Sequence, residues 1–371
     1  MKELRVIISG GGTGGHIFPA VSIANAIRNI CPDAAILFVG AQGRMEMQRV
    51  PAAGYDIKGL PISGFDRKNL LKNAGLPFQL MRSWAMAWQI LRKFRPQVAV
   101  RVGGYASYPT LKVAEWMGIP TLIQEQNSFA GKANIRLAKK AACCCVAFQG
   151  MERFFPADRI QLTGNPVRKQ MLETTLTREQ AIASLGLDPQ RKTVLIVGGS
   201  LGARTLNTAV MSHLDVIGKS GVQFIWQTGK YYYDTLAEEL KQQQQPEGLK
   251  MMDFITDMGA AYRAADLVIS RAGASSVSEF CLIGKPVILV PSPNVTEDHQ
   301  TKNAMALVDK DAALIVRDAD AGEQLVDLAI KTVQDDAKLA SLSKNVLKLA
   351  LPDSADIIAR KVIEIAHKKN T

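Results

Sequence analysis

The 371-residue chain is short of the residue patterns from which many catalytic centres are built. It has four histidines, none in HxxxH or HxH spacing, and no Cys/His cluster, which argues against a zinc site. No G-x-S-x-G elbow and no G-x-x-x-x-G-K-[ST] loop occurs, so neither a serine hydrolase nor a P-loop nucleotidase is expected. No apolar run is long enough to span a bilayer, and no charged-then-apolar leader opens the chain, so the expectation is a cytoplasmic protein. Of only five cysteines, Cys143, Cys144 and Cys145 are consecutive in an apolar segment that reads as a buried strand. Neighbours on a strand point to opposite faces, so these suit core packing rather than a disulfide or a metal.

What is present is an ordinary globular composition, 47% hydrophobic and 21% charged, in a chain long enough for two full cores. Charge is uneven. Residues 1–165 carry +12, whereas 166–371 carry −1. A basic half points to an anionic partner (a membrane surface, nucleic acid or a phosphorylated substrate) or to solubility alone.

Short apolar runs alternate with helical patterns. Strands are predicted at Leu4–Ile8, Ile36–Val39, Tyr55–Leu60, Val98–Val102, Thr121–Ile123, Cys143–Ala147 and Ile160–Leu162. The second half repeats the pattern at Val194–Val197, Gln223–Trp226, Lys250–Asp253, Leu267–Ile269, Val287–Val290 and Ala313–Val316. This alternation predicts an α/β protein with parallel sheets covered by helices. Gly164-Asn165-Pro166 is turn chemistry, which sets the expected domains at 1–165 and 166–351. The closing segment 352–371 has a helical apolar period and is expected to pack back on the first domain.

Two glycine loops join a strand to a helix, Gly10-Gly11-Gly12-Thr13-Gly14-Gly15-His16 and Gly198-Gly199-Ser200-Leu201-Gly202-Ala203. Such loops let backbone N–H groups converge on an anion at a helix N-terminus. Their repetition suggests two similar domains facing each other across a cleft. The first loop also fits G-x-G-x-x-G, but the acid that usually binds ribose after the second strand is missing: Gly40, Ala41 and Gln42 follow Val39. That lowers a nicotinamide or flavin reading.

Three further segments follow strands, and so belong on the same sheet edges: Gly103-Gly104-Tyr105, Gln124-Glu125-Gln126-Asn127, and 270–279. In the last, backbone N–H groups with Ser275 and Ser276 suit a diphosphate, and Glu279 suits a ribose diol; the alternative is a plain helix cap. Asp318-Ala319-Asp320 resembles a metal-binding DxD, but reads better as capping before a helix. Residues 67–95 interleave Arg67, Lys68, Lys72, Arg82, Arg92, Lys93 and Arg95 with Leu70, Leu71, Phe78, Met81, Trp84 and Trp88. The stretch suits either a helix lying on an anionic bilayer or a core helix flanked by solvated bases.

Taken in order, GGGTGGHIFPA (10–20), GGYASYP (103–109), EQN (125–127), GNPVR (164–168), GGSLGAR (198–204), DFITDM (253–258) and SRAGASSVSE (270–279) resemble glycosyltransferase family 28, the peptidoglycan N-acetylglucosaminyltransferases. The resemblance implies a GT-B fold of two Rossmann-like domains. It implies inverting transfer of GlcNAc from UDP-GlcNAc to the C4 hydroxyl of MurNAc in undecaprenyl-pyrophosphoryl-MurNAc-pentapeptide. The expected place is the cytoplasmic face of the inner membrane, with Trp116 and Lys140 adding to the 67–95 surface. Other cell-wall synthesis proteins are possible partners; no nucleic acid and no essential cofactor are expected.

Carried over by residue, Thr13, Gly14 and Gly15 face the donor sugar, and Asn127 and Arg168 contact the donor. Ser200 and the run Ala274, Ser275, Ser276, Val277, Ser278 and Glu279 bind diphosphate and ribose, with Glu279 on the ribose. Ile255 offers backbone to uracil, Gln300 reads the GlcNAc hydroxyls, and Asn303 assists. Many relatives have histidine where this chain has Gln124, so no general base sits there. His16 is the candidate base, since neutral imidazole suits proton removal near pH 7, or it orients the acceptor diphosphate. Competing readings are a UDP-GlcNAc 2-epimerase of the same fold, a basic nucleic-acid-binding protein and a nicotinamide oxidoreductase.

Overall fold

A computed structural model describes residues 3–63, 75–167 and 173–368. The chain forms two compact units, 1–168 with 351–371, and 169–350.

The first unit is built on a seven-stranded sheet: β1 (Arg5–Gly10), β2 (Ala35–Ala41), β3 (Asp56–Leu60), β4 (Val98–Gly103), β5 (Thr121–Glu125), β6 (Cys143–Val146) and β7 (Ile160–Leu162). Spatial order is β3-β2-β1-β4-β5-β6-β7, and each adjacent pair is parallel. The apolar runs are near-continuous because helices cover both faces, so both sets of alternating side chains are buried. β4 is buried along its whole length, including Arg101. The five cysteines are free thiols.

The second unit repeats the plan with six strands: β8 (Thr193–Val197), β9 (Gln223–Gln227), β10 (Leu249–Met252), β11 (Leu267–Ser270), β12 (Val287–Leu289) and β13 (Leu314–Ile315). Their order is β10-β9-β8-β11-β12-β13, again parallel throughout. In both units the order reverses beside the first strand, between β1 and β4 and between β8 and β11. In open α/β sheets ligands bind at that point, outside the strand C-termini. Both glycine loops leave the sheet there.

The last helix, Ser354–Lys368, packs in the first unit against the helix Gly14–Ile30. Ile358, Val362 and Ile365 lie in one core cluster with Ile17, Ile23 and Ile27. Each buried aliphatic contributes about 1.5–3 kcal/mol, so the returning helix is a substantial part of that core. Among the described residues no helix is long and apolar enough to cross a membrane.

Candidate functional site

In the first unit, Thr13 caps the helix Gly14–Ile30 in extended backbone without a side-chain cap bond, and that helix has no acid in its first turn. The N–H groups of Gly14 and Gly15 therefore stand at an open helix start. His16 is part-exposed on the same turn. Its Nδ1 lies 3.0 Å from the Gly11 carbonyl. A proton donated there fixes the tautomer that leaves Nε2 with its lone pair. Gly103 packs on the ring: a Cβ at 103 would fall 2.4 Å from His16 Cδ2, and its φ of +137° also calls for glycine. Desolvation pulls the His16 pKa below 6.5, and Arg101 adds to this; the Gly11 carbonyl, Glu125 and Glu46 oppose it. The ring is neutral near pH 7, as a base must be.

Behind the loop lies a buried polar network. Arg101 donates from Nε to Asn134 Oδ1 and from Nη1 to Ser107 Oγ, and Ser107 donates to the Gly104 carbonyl. Burial brings the Arg101 pKa down to about 10, against the opposing pull of Glu125. Glu125 accepts from Asn134 Nδ2 (2.7 Å), the Gly131 N–H (3.1 Å), the Asn127 N–H (3.1 Å) and Asn127 Nδ2 (3.3 Å). Asn127 is thus oriented by its neighbour in the EQN motif. Gln124 is fully buried and donates to Asn165 Oδ1, a tie between β5 and the chain after β7. Glu46 is 1% exposed and accepts from the Gly12 N–H (2.8 Å) and the Ala41 N–H (3.0 Å). An acid does serve this part of the fold: it stands after Gln42, and it holds the loop itself.

In the second unit, Gly199, Thr205, Tyr262, Ser276, Gln300 and Asp318 line a cavity of about 500 Å³ at the strand C-termini. Ser200 is exposed on the β8 loop. The helix Ala274–Ile283 opens at Gly273 with no side-chain cap and no acid in its first turn, so a plain cap does not explain the segment. Ala274, Ser275 and Ser276 present the first-turn N–H groups. Val277 is buried in the core, and Ser278 Oγ donates to the Ala274 carbonyl. Glu279 accepts at Oε2 from the Tyr262 hydroxyl at 3.2 Å. Burial, and then Glu279, push the Tyr262 pKa well above 10, so it stays a donor.

Other positions are tethers. Gln300 Oε1 accepts from the Ala272 N–H (3.2 Å) and the Ser292 N–H (2.8 Å), and Asn303 Nδ2 donates to the Ala272 carbonyl (3.3 Å). The Ile255 N–H is taken by Gln227 Oε1 at 3.0 Å, so its carbonyl is the group left to offer a base. Asp318 is neither a cap nor a metal ligand in a cluster. It pairs with Arg271 at 2.5 Å and accepts from Thr205 Oγ1 at 3.0 Å, while Asp320 pairs with Arg317. Its cap-like spacing is misleading because a half-buried guanidinium competes better for the carboxylate than a helix N–H. Among the described residues no group of His, Cys, Asp and Glu could hold a metal ion.

The helix Leu76–Phe94 has one buried face and one exposed face. Ser83, Ala87 and Leu91 are buried, whereas Phe78 (73%), Met81 (58%) and Trp88 (44%) are exposed, along with Arg82, Arg92 and Lys93. Trp84 packs edge-on to Trp116 at 5.3 Å, and Trp116 is itself 51% exposed under Lys112. Lys140 pairs with Glu115 at 3.1 Å. Arg67, Lys68, Leu70, Leu71 and Lys72, like Arg168, lie outside the described residues.

Two family descriptions match the chain: the glycosyltransferase family 28 N-terminal domain over residues 6–146 and its C-terminal domain over 193–358. The chain belongs to glycosyltransferase family 28. Within the family, a Phocaeicola vulgatus protein is 64% identical over 99% of this chain and 98% of its own length. A Bacteroides thetaiotaomicron protein is 62% identical over the whole of both. Both are named UDP-N-acetylglucosamine–N-acetylmuramyl-(pentapeptide) pyrophosphoryl-undecaprenol N-acetylglucosamine transferase. The crystal structure of Acinetobacter baumannii MurG superposes with a TM-score of 0.78 at 26% identity, covering 97% of this chain and 99% of that one. The two parallel-sheet α/β units are thus those of a GT-B family 28 glycosyltransferase. A UDP-GlcNAc 2-epimerase from Neisseria meningitidis has a TM-score of 0.67 over 98% of this chain and all of its own, at 12% identity; it shares the fold alone.

The glycine loops and the 270–279 helix start were visible to sequence reading. Glu46, Arg101, Asn134, Tyr262 and Asp318 were not assigned these roles.

Proposed function

We propose that this chain is a UDP-GlcNAc-dependent N-acetylglucosaminyltransferase that converts undecaprenyl-pyrophosphoryl-MurNAc-pentapeptide to its GlcNAc-MurNAc product. The observation that carries this reading is the 62–64% identity, end to end, with proteins bearing that name. The geometry agrees with its chemistry. Diphosphate binds at the Ala274–Ser276 helix start and Ser200, where N–H groups and the helix dipole meet the charge that gathers on departing UDP. Glu279, held by Tyr262, takes the ribose hydroxyls, and Ile255 offers its carbonyl to the uracil. With Oε1 engaged, Gln300 reads the sugar through its Nε2 amino group, beside Asn303.

In the first unit, Thr13, Gly14 and Gly15 face the donor sugar, and Asn127 and Arg168 add donor contacts. The acceptor C4 hydroxyl gives its proton to His16 Nε2 as its oxygen attacks the anomeric carbon; the C1–O bond to UDP breaks and the centre inverts. The exposed Phe78, Met81, Trp88 and Trp116 among basic residues seat the enzyme on the cytoplasmic face of the inner membrane.

The test is UDP release from UDP-GlcNAc with and without a lipid-linked MurNAc-pentapeptide analogue. Release that requires the acceptor, with no turnover of UDP-glucose, is expected. Acceptor-independent epimerisation to UDP-ManNAc would overturn the assignment. Flotation with anionic vesicles tests the membrane surface: Trp88→Glu should reduce recovery with the lipid, and an unchanged recovery would remove that face from the docking surface.

A further inference from the structure

Arg101 is the residue of the first unit that packing explains least. It stands inside β4 and is 7% exposed, and burial lowers its pKa only to about 10, so it is a cation at neutral pH. A buried charge has to be hydrogen-bonded or paired. The buried anion nearby is Glu125, the last residue of β5. An amide joins the two. Asn134, on the helix Lys132–Ala138, accepts at Oδ1 from Arg101 Nε and donates from Nδ2 to Glu125 Oε2 at 2.7 Å. Turning that amide over would set its NH₂ against the guanidinium and its oxygen against the carboxylate, so the two charges fix its orientation.

Each end of this relay has a second arm, and each arm ends at a residue of the proposed site. On the cation side, Arg101 Nη1 donates to Ser107 Oγ, and Ser107 donates to the Gly104 carbonyl at 2.6 Å. Gly104 lies backbone against backbone on Gly11: a Cβ at 104 would fall 2.4 Å from the Gly11 oxygen, and the Gly11 N–H donates to the Gly103 carbonyl at 3.3 Å. The same Gly11 oxygen lies 3.0 Å from His16 Nδ1. On the anion side, Glu125 Oε1 accepts from the Asn127 N–H at 3.1 Å and from its Nδ2 at 3.3 Å.

We infer that Arg101 is a positioning residue for the transfer reaction: through Ser107 it sets the carbonyl that fixes the His16 tautomer, and through Asn134 and Glu125 it sets Asn127. The inference rests on the function proposed above, in which His16 takes the acceptor proton and Asn127 meets the donor. The physical reason is the fork. A guanidinium is planar and presents its donors in fixed directions, Nε to one arm and Nη1 to the other, so the two arms cannot move independently. An ammonium has the charge without the fork. A misplacement of about 1 Å at reacting groups costs about 100-fold in rate, so a tie of this kind acts on kcat even from a buried side chain.

The test uses the full chain labelled with ¹⁵N-histidine and read at a pH where the imidazole is neutral. Only four histidines are present, and His16 is assigned by the signal lost in His16→Gln. In the wild type His16 should be held as the Nδ1–H tautomer. Ser107→Ala cuts one arm and leaves the buried charges joined through Asn134. It should populate the Nε2–H tautomer and lower kcat about tenfold. Arg101→Lys keeps the charge and loses the fork, and should do both to a greater degree, about 100-fold in kcat. Ser107→Ala removes no charge from the core, so its arm stays readable if Arg101→Lys does not fold. A merely structural network would lower the unfolding temperature and leave tautomer and kcat as in the wild type; that result in Ser107→Ala would overturn the inference. An Nε2–H tautomer in the wild type would overturn it as well. If the wild type transfers nothing from UDP-GlcNAc while the tautomer responds as stated, the function proposed above fails and the tie to His16 stands.

Discussion

The first unit ties two strand-end loops together with a carboxylate, and the second does the same with an amide. Glu46 spans Gly12 and Ala41; Gln300 spans Ala272 and Ser292. The mechanical role is equal in each: a side-chain acceptor satisfies two backbone donors that a loop would otherwise leave orphaned. The electrostatic result differs. One tie is made by a carboxylate and the other by a neutral amide. The lesson is that two copies of one strand–loop–helix plan can be held by side chains of different chemistry, which the glycine motif itself does not show.

The comparison breaks most visibly at His16, the base proposed for the first unit. His16→Ala should lower kcat about 1000-fold while calorimetric affinity for UDP-GlcNAc is unchanged. Near-normal turnover at saturating acceptor would place the base elsewhere. Next in size is Gly11→Ala, whose Cβ falls 2.3 Å from the Glu46 carboxyl carbon and displaces it from its two donors. It should cost about 1–3 kcal/mol in denaturant unfolding. The cost should shrink in a Glu46→Ala background, because the clash is gone; equal cost in both backgrounds would show that Glu46 is not what the glycine makes room for.

In the second unit the effects belong on binding. Glu279→Gln should raise KM for UDP-GlcNAc about tenfold with kcat little altered. Tyr262→Phe should give a smaller rise, about threefold, since it removes one hydrogen bond to that carboxylate. A kcat effect without a KM effect would move Glu279 from ribose binding to the reacting centre. The smallest effect is in the pH profile. His16 titrates below 6.5, so the acid limb of kcat/KM should lie below 6.5 and move back up towards that value when Arg101, which lowers it, is replaced by leucine. The sign for stability follows: the unfolded chain binds this proton more readily, so the His16 contribution falls as pH drops through 6.5 towards the folded value. An acid limb above 6.5 would exclude His16 as its source.

The strands were legible because parallel sheets buried on both faces leave near-continuous apolar runs. Val98–Val102 and Thr121–Ile123 were read within two residues of β4 and β5. The loops were legible because glycine clusters are rare and have few uses. Glu46 was not, because its partner Gly12 is 34 residues away and a lone acid in a short helix carries no periodic or spacing signal. The three residues directly after Val39 hold no acid, and the side chain that serves the loop comes from a little further on, at Glu46. Arg101 was hidden differently. An arginine in the middle of a buried strand reads as an exception until Asn134, Ser107 and Glu125 are seen around it. Asp318 was misread because local spacing is visible and a partner 47 residues away is not.

The helix Ser354–Lys368 has a consequence for how the molecule is made. A ribosome releases the segments of the first unit in two instalments, separated by the whole of the second. At about 5–20 residues per second, the Gly14–Ile30 helix waits some tens of seconds for the partner that covers it. The second unit can therefore mature during synthesis while the first is still unfinished, and a chain cut short near its end would leave the older half with a bare, sticky flank.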